Sequence, residues 1–384
     1  MHLDYSTNFR LPDQKRGRIV RFVDSSSLQA ALSQRDPRSP AQTVDLVILD
    51  HLEQLDPIYE LAVSMLLHTA QSASTRFVGF SHSLSDPADL AAWLHVEPSS
   101  LFSFHPSDRS QALTMSVQTF NIPHSASLFK AMAKPTHTAV RAGQDHAIVF
   151  VPSRSHCRSV AFDLLTQRAL ENENDRGYLP GPIDDEQLRT YLDKMQDKSL
   201  VDLITRGIGL FHGGLQKRDR SSILELYAEG IIRVLLVTHD SCWSLPIRAP
   251  TVVVMGTQYM AEAGQLRDYD LVELVQMQSH AVRHVGAGHF HLFCQAESKD
   301  TLLHFLNDGL PLESKLLETT HLASLYRDQK ERGHFLNKQD VADALSFMYL
   351  SRRIVSNPAY YGCSENGRDS NLSQIIDSLH DSSI

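Results

Sequence analysis

The chain has 384 residues, 42% hydrophobic and 21% charged, a balance that sets aside wholesale disorder and, at about 150 residues per domain, predicts two to three domains. Its 36 basic and 45 acidic residues leave a net charge of −9, so nucleic-acid binding would need a local basic groove on an acidic body. The four cysteines form no C-x-x-C pair, which excludes a disulfide framework and a cysteine-rich zinc module. No apolar run approaches the roughly 20 residues of a membrane span. The N-terminus has no apolar secretory core, and the sequence reads as a soluble chain of a reducing compartment.

Short apolar runs bounded by turn residues come first in chain order: VDLVILD (44–50) and RFVGFS (76–81). AIVFVPS (147–153), IIRVLLVTHD (231–240), TVVVMG (251–256) and HFHLFC (289–294) continue the series. They are too apolar to alternate, which predicts parallel strands buried on both faces. Helical patterns lie between them: IYELAVSMLLHTA (58–70), DPADLAAWL (86–94), RSHCRSVAFDLLTQRAL (154–170) and KRDRSSILELYAEG (217–230). Asp86 is the expected N-cap of the second, with Pro87 at its first position, and Gly230 closes the last. The alternation indicates an α/β architecture. Residues 103–125 divide the strands into two groups and suit an edge or connecting strand; 171–199 read as a polar insertion with a short helix. After about residue 305 only helices are expected, and the serine-rich end reads as frayed apart from one amphipathic turn at Leu372 to Leu379.

In a parallel sheet, ligands sit at the carboxyl ends of the strands. That places the loop after Val237, with Thr238 and Trp243, and the helix carrying Gln276 and Arg283, against one crevice. Arg283 can pair there with a phosphate, or is simply a solvated charge at a helix C-terminus. Ser153 and Arg154 start a helix directly after a strand, where free amides suit a phosphate. His280 and His284, with His289 and His291 on the next strand, read as polar surface or groove residues rather than a metal site. The run QKRDR (216–220) reads as a solvated helix face, Trp93 and Trp243 as packing residues, and Arg352 and Arg353 as a surface pair.

IVFVPSR (148–154), GLFHGGL (209–215), LLVTHDSCWSLPIRAPTVVVMGTQY (235–259) and VELVQMQSHAVR (272–283) follow the order and spacing of the second RecA-like domain of DExH RNA helicases. The chain resembles the spliceosomal tandem-cassette helicases, and among them the catalytically silent C-terminal cassette. That narrower likeness is carried by SLSDPADLAAWL (83–94), FSFHPSDR (102–109), FNIPHS (120–125), MAKP (132–135) and Cys242-Trp243. NKQDVADALSFMYLSRRIVSNPAYY (337–361) is similar to the winged-helix domain that follows. The resemblance implies a partial RecA-like domain at 1–125, a second at 126–305, and a winged-helix domain with the start of a further helical region at 306–384.

The departures from the family pattern bear on activity. No G-x-x-x-x-G-K-[ST] phosphate loop occurs in the sequence, and the chain is expected to start too near the second ATPase motif to include one. That motif, Asp-Glu-x-His in working members, reads Asp50-His51-Leu52-Glu53. Asp50 is left as the ligand for magnesium, His51 replaces the carboxylate that orients the attacking water, and Glu53 is displaced by two residues and expected to point elsewhere. The third motif reads Ser81-His82-Ser83. The fifth carries Ser244 and Pro246 in place of glycine and asparagine. In the sixth, Gln276 to Arg283, one arginine has become His280, and Arg283 alone survives as a finger toward a γ-phosphate.

The resemblance therefore implies a degenerate cassette in the nucleus, silent on its own, that serves as a scaffold or regulator for the active helicase cassette and splicing factors. ATP and Mg2+ binding is expected to be weak or lost, RNA binding weak, and no membrane is involved. The alternative is an ATP-dependent RNA helicase whose N-terminal half lies outside this chain.

Overall fold

Six strands form one parallel layer in the order β5 (Leu113–Phe120), β12 (Gly288–Gln295), β9 (Thr251–Met255), β6 (Ala147–Val151), β8 (Val234–Thr238) and β7 (Ile208–Phe211). The computed structural model describes residues 2–4, 19–33, 44–70, 75–142, 145–171, 177–179, 185–193, 195–261, 264–363 and 367–381. Two units emerge: Met1–His105 with Asp308–Ile384, and Pro106–Asn307. In chain order the first unit begins with β1 (His2–Asp4), β2 (Ile19–Arg21), α1 (Ser25–Ser33), β3 (Leu46–Leu49), α2 (Pro57–Ala70), β4 (Arg76–Gly79) and α3 (Ala88–Trp93). The second unit holds β5 (Leu113–Phe120), α4 (Ala126–Ala142), β6 (Ala147–Val151), α5 (Arg154–Glu171), α6 (Asp185–Leu192), α7 (Lys198–Ile204) and β7 (Ile208–Phe211). It continues with α8 (Lys217–Ala228), β8 (Val234–Thr238), β9 (Thr251–Met255), β10 (Gln258–Met260), β11 (Leu266–Asp268), α9 (Leu271–Ser279) and β12 (Gly288–Gln295). The helix α10 (Lys299–Asp308) reaches the boundary, and the first unit resumes with α11 (His321–Glu331), α12 (Lys338–Ser346), α13 (Tyr349–Ser356) and α14 (Arg368–Asp381).

In the second unit, every residue of β6, β8 and β9 is buried, which requires cover on both faces of the sheet. The apolar runs without alternation therefore became central strands, and β5, whose residues alternate in burial, became the edge. Gly230 adopts φ +80° just past α8, the left-handed conformation that ends a helix. The expected boundary at 125 is not where the units part: β5 pairs along its full length with β12, so the second unit starts at Pro106. Parts of the polar insertion fall outside the described residues; within it α6 and the start of α7 are helical.

The first unit departs further from expectation. β3 and β4 pair in parallel only with each other among the described residues, and Leu46 and Ile48 remain 49% and 60% exposed rather than buried on both faces. The region after Asp308 clusters with this unit, and its described residues hold helices and a single bridge between Leu84 and Leu310, with no paired wing strands. The described part of the serine-rich end is more than one turn: Arg368–Asp381 form the helix α14, which buries Leu372, Ile375, Ile376 and Leu379 in a cluster with Leu322, Tyr326, Val341, Leu345 and Ile354. Asp86 does not cap α3 as expected; Pro87 occupies that position and Asp86 pairs with Arg353. Arg353 is itself no surface residue: its side chain is 8% exposed and meets Asp86, Asp89 and Glu313. Trp93 packs as expected, 2% exposed, and its indole N–H donates to the Phe347 carbonyl at 2.7 Å.

Glu60 on α2 is fully buried beneath α13. Its Oε1 accepts the Leu350 amide at 2.8 Å while Oε2 finds no partner, and burial pushes its pKa up to about 7. The native state thus keeps this proton up to about pH 7, whereas the unfolded chain loses it near 4.5. Between those values the native state binds more protons, so stability from this site falls as pH rises through the window and stays low above it. Glu60→Gln removes the titration. Chemical denaturation at pH 5 and pH 8 should show the variant gaining on the parent protein by about 3 kcal/mol between the two pH values.

Candidate functional site

The second ATPase motif follows β3. Asp50 is exposed; its Oδ1 accepts the His51 amide at 3.0 Å and its carbonyl accepts the Tyr59 hydroxyl at 2.9 Å. One hard carboxylate oxygen of the kind magnesium takes is therefore present, followed by an imidazole rather than a second carboxylate. His51 adopts φ 54° and ψ 50°, the left-handed region that few residues with side chains occupy. This sharp bend starts the 3-10 turn Leu52–Gln54 and brings Glu53 back beneath the end of β4. Glu53 is buried: Oε1 lies 2.8 Å from Nδ1 of His51, and Oε2 accepts the His82 amide at 3.0 Å. Burial works to raise its pKa, but the hydrogen bonds from His51, its own amide and His82 prevail and hold it below the usual carboxylate value. Glu53 thus ties the second motif to the third, where Ser81 Oγ donates to the His82 carbonyl and Ser83 Oγ to the Phe104 carbonyl.

In the second unit, the carboxyl edge of the sheet gathers Ser153, Arg154, Thr238 and Trp243. Ser153 Oγ hydrogen-bonds with Ser155 Oγ at 2.8 Å and with His156 Nδ1 at 2.7 Å, at the start of α5. The exposed Arg154 lies over the glycine pair of the β7–α8 loop, where an added Cβ at Gly214 would stand 2.5 Å from its Nη1. Thr238 is buried and shares a hydrogen bond with Ser241, while Trp243 packs half-buried against the main core. Sequence reasoning missed His212 at this edge. It is buried, its Nδ1 has no partner, and burial followed by the charges of Arg154 and Arg158 lowers its pKa. A cationic, glycine-backed edge at two helix N-termini is a setting in which phosphate oxygens are well received.

The sixth motif is placed differently from the sequence expectation. Helix α9 starts after the carboxyl end of β9 and runs back along the sheet, so its far end arrives at the amino edge, where Ala281 bridges Ala249 just before β9. Nine residues at ~1.5 Å each cover much of a strand's length. Arg283 therefore lies at the amino edge, not in the carboxyl-end crevice, and its Nη2 pairs with Asp145 at 3.0 Å ahead of β6. Gln276 stays half-buried on α9, with its carbonyl accepting the Ser279 hydroxyl. His280 is neither a surface nor a groove residue: it is 5% exposed, with Nδ1 2.7 Å from the Ile247 carbonyl and Nε2 3.0 Å from the Cys242 carbonyl. Burial draws its pKa down against these two contacts, which favour protonation. Asp145 carries no motif signal, and only the fold reveals it as the partner of Arg283.

With this geometry in hand, comparison with known proteins gives the class: the chain is homologous, over nearly its whole length, to a segment of DExH-box RNA helicases. The U5 small nuclear ribonucleoprotein 200 kDa helicase of Drosophila melanogaster is 31% identical over 377 residues, which cover 94% of this chain and 17% of that protein. The DExH-box ATP-dependent RNA helicase DExH12 of Arabidopsis thaliana is 31% identical over 379 residues, 94% of this chain and 17% of its own length. The RQC trigger complex helicase SLH1 of Saccharomyces cerevisiae is 32% identical over 362 residues, 90% of this chain and 18% of that protein. The chain thus spans less than a fifth of these relatives. No family model matches it.

The two histidine-to-carbonyl contacts make His280 a strut between α9 and the loop before β9. His280→Ala leaves a buried carbonyl without its donor and should cost about 1–3 kcal/mol in urea unfolding. Arg283→Ala removes a half-exposed ion pair and should cost under about 1 kcal/mol.

Proposed function

We propose that this chain is a degenerate RNA-helicase cassette, matching the silent C-terminal one, that works as a protein-interaction scaffold or regulator in pre-mRNA splicing and is catalytically silent on its own. The observation that carries this reading is His280. The position of a phosphate-facing arginine holds a buried imidazole whose two nitrogens both face backbone carbonyls. The other departures agree with it: His51 turns toward Glu53, and Arg283 is held by Asp145. The apolar surface left by Leu46, Ile48, Phe80, Phe102 and Phe104 on the first unit suits docking of a protein partner. The nucleus and splicing follow from the U5 ribonucleoprotein named for the fly relative.

ATP and Mg2+ have one matching carboxylate, Asp50, and RNA has the edge at Ser153, Arg154 and Thr238 beside Trp243. A net charge of −9 gives RNA little long-range attraction. The test is RNA-stimulated ATP turnover alongside titrations at physiological salt with single-stranded RNA and with the active N-terminal cassette. The expected result is turnover at the buffer level, RNA binding weaker than micromolar, and a saturable cassette complex. Turnover abolished by Arg283→Ala, or submicromolar RNA affinity with no cassette binding, would make the chain a working half-motor instead.

A further inference from the structure

His51, Glu53 and His82 each offer one ligand atom within 4.8 Å of the other two, and no other trio of His, Cys, Asp or Glu does so among the described residues. We propose that these three side chains form a binding site for a divalent transition metal of the zinc class, built from what were the second and third ATPase motifs.

The donor set selects the metal. Two imidazole nitrogens and one carboxylate oxygen suit Zn2+ and its neighbours, whereas magnesium prefers all-oxygen surroundings. Around zinc, N and O ligands at about 2.0–2.1 Å place neighbouring ligand atoms roughly 3.3 Å apart. Here His51 Nδ1 lies 2.8 Å from Glu53 Oε1, and His82 Nε2 lies 3.9 Å from the same oxygen. Bringing these two pairs to that spacing takes shifts of about half an ångström, and the two imidazoles already stand within 4.8 Å of each other.

The support around the ligands is already in place. The carboxylate is fully buried and its other oxygen is fixed by the His82 amide at 3.0 Å, the kind of outer contact that orients a metal-binding carboxylate. His51 is held in the left-handed conformation that turns its ring toward Glu53, a strained backbone of the sort that collects at binding sites. The two rings lie at the surface with side chains 47% and 26% exposed, so an ion has a way in and an open position for water. The plainer reading is a carboxylate that hydrogen-bonds one imidazole and stands in charge contact with the other; it uses the same three groups and leaves their ligand atoms gathered as a metal would need them.

Zinc uptake needs no ATP, RNA or protein partner, so its outcome is independent of the scaffold reading. The full chain is dialysed against zinc chloride in an excess of magnesium chloride, and bound metal is measured by elemental analysis, with Co2+ and its visible absorption as a second probe. The expected result is one zinc retained per chain, at least about tenfold weaker in Glu53→Gln and in His82→Ala, and unchanged in a His289→Ala, His291→Ala double variant. His82→Ala keeps the amide that holds Glu53, so it decides the matter even where Glu53→Gln fails to fold. Equal zinc binding by the parent protein and His82→Ala, or displacement of zinc by magnesium at comparable concentration, would overturn the proposal.

Discussion

One guanidinium holds the first unit together. That unit is made of two segments far apart in the chain, and Arg353 from the second sits among Asp86 and Asp89 of the first and Glu313 of its own. The Glu313 hydrogen bond leads in raising the pKa of Arg353, with Asp89 adding to it, so the charge is kept at all working pH values. Removing one member of a buried charge group leaves the others uncompensated, a loss of about 3–5 kcal/mol. The Trp93 indole on the Phe347 carbonyl and Glu60 on the Leu350 amide join the same two segments. The seating of α3, and through it of the β4 loop with His82, depends on this junction.

The side chains at the second- and sixth-motif positions share a physical character. Each has a partner within the protein: His51 meets Glu53, His280 faces two backbone carbonyls, and the retained Arg283 meets Asp145. Interactions of this kind stiffen a fold. The cationic edge around Arg154 and His212 escapes the pattern. There the Arg154 guanidinium lies over Gly214, and the buried His212 leaves its Nδ1 without a partner.

The second unit was the most legible part. Uninterrupted apolar runs such as AIVFV and TVVVM can only be covered on both faces, and they became central parallel strands. The same reasoning failed for β3 and β4, because an apolar strand is buried only where something stands over it, and here Ile48 is left open. Arg353 and His280 were misread for a related reason: a charged or polar side chain is placed by partners distant in sequence, and Asp86, Ile247 and Cys242 leave no trace in the spacing around it. Glu53 is expected from the motif pattern to point elsewhere, and it turns back to His51 and the His82 amide; the His-x-Glu spacing is the one hint of this in the sequence.

The sequence by itself determined the α/β alternation, the parallel layer of the second unit and the helical character of the last segment, since these follow from local periodicity and turn residues. It also determined which motif positions carry residues other than those of the family pattern, because that is a matter of residue identity alone. Only the tertiary structure decided that β5 belongs to the second sheet, that α14 docks into a core, that Arg283 lies at the amino edge, and that His51, Glu53 and His82 meet. Those outcomes rest on pairing between distant segments and on the direction in which a helix returns across a sheet, and neither is written in the period of a single run of residues.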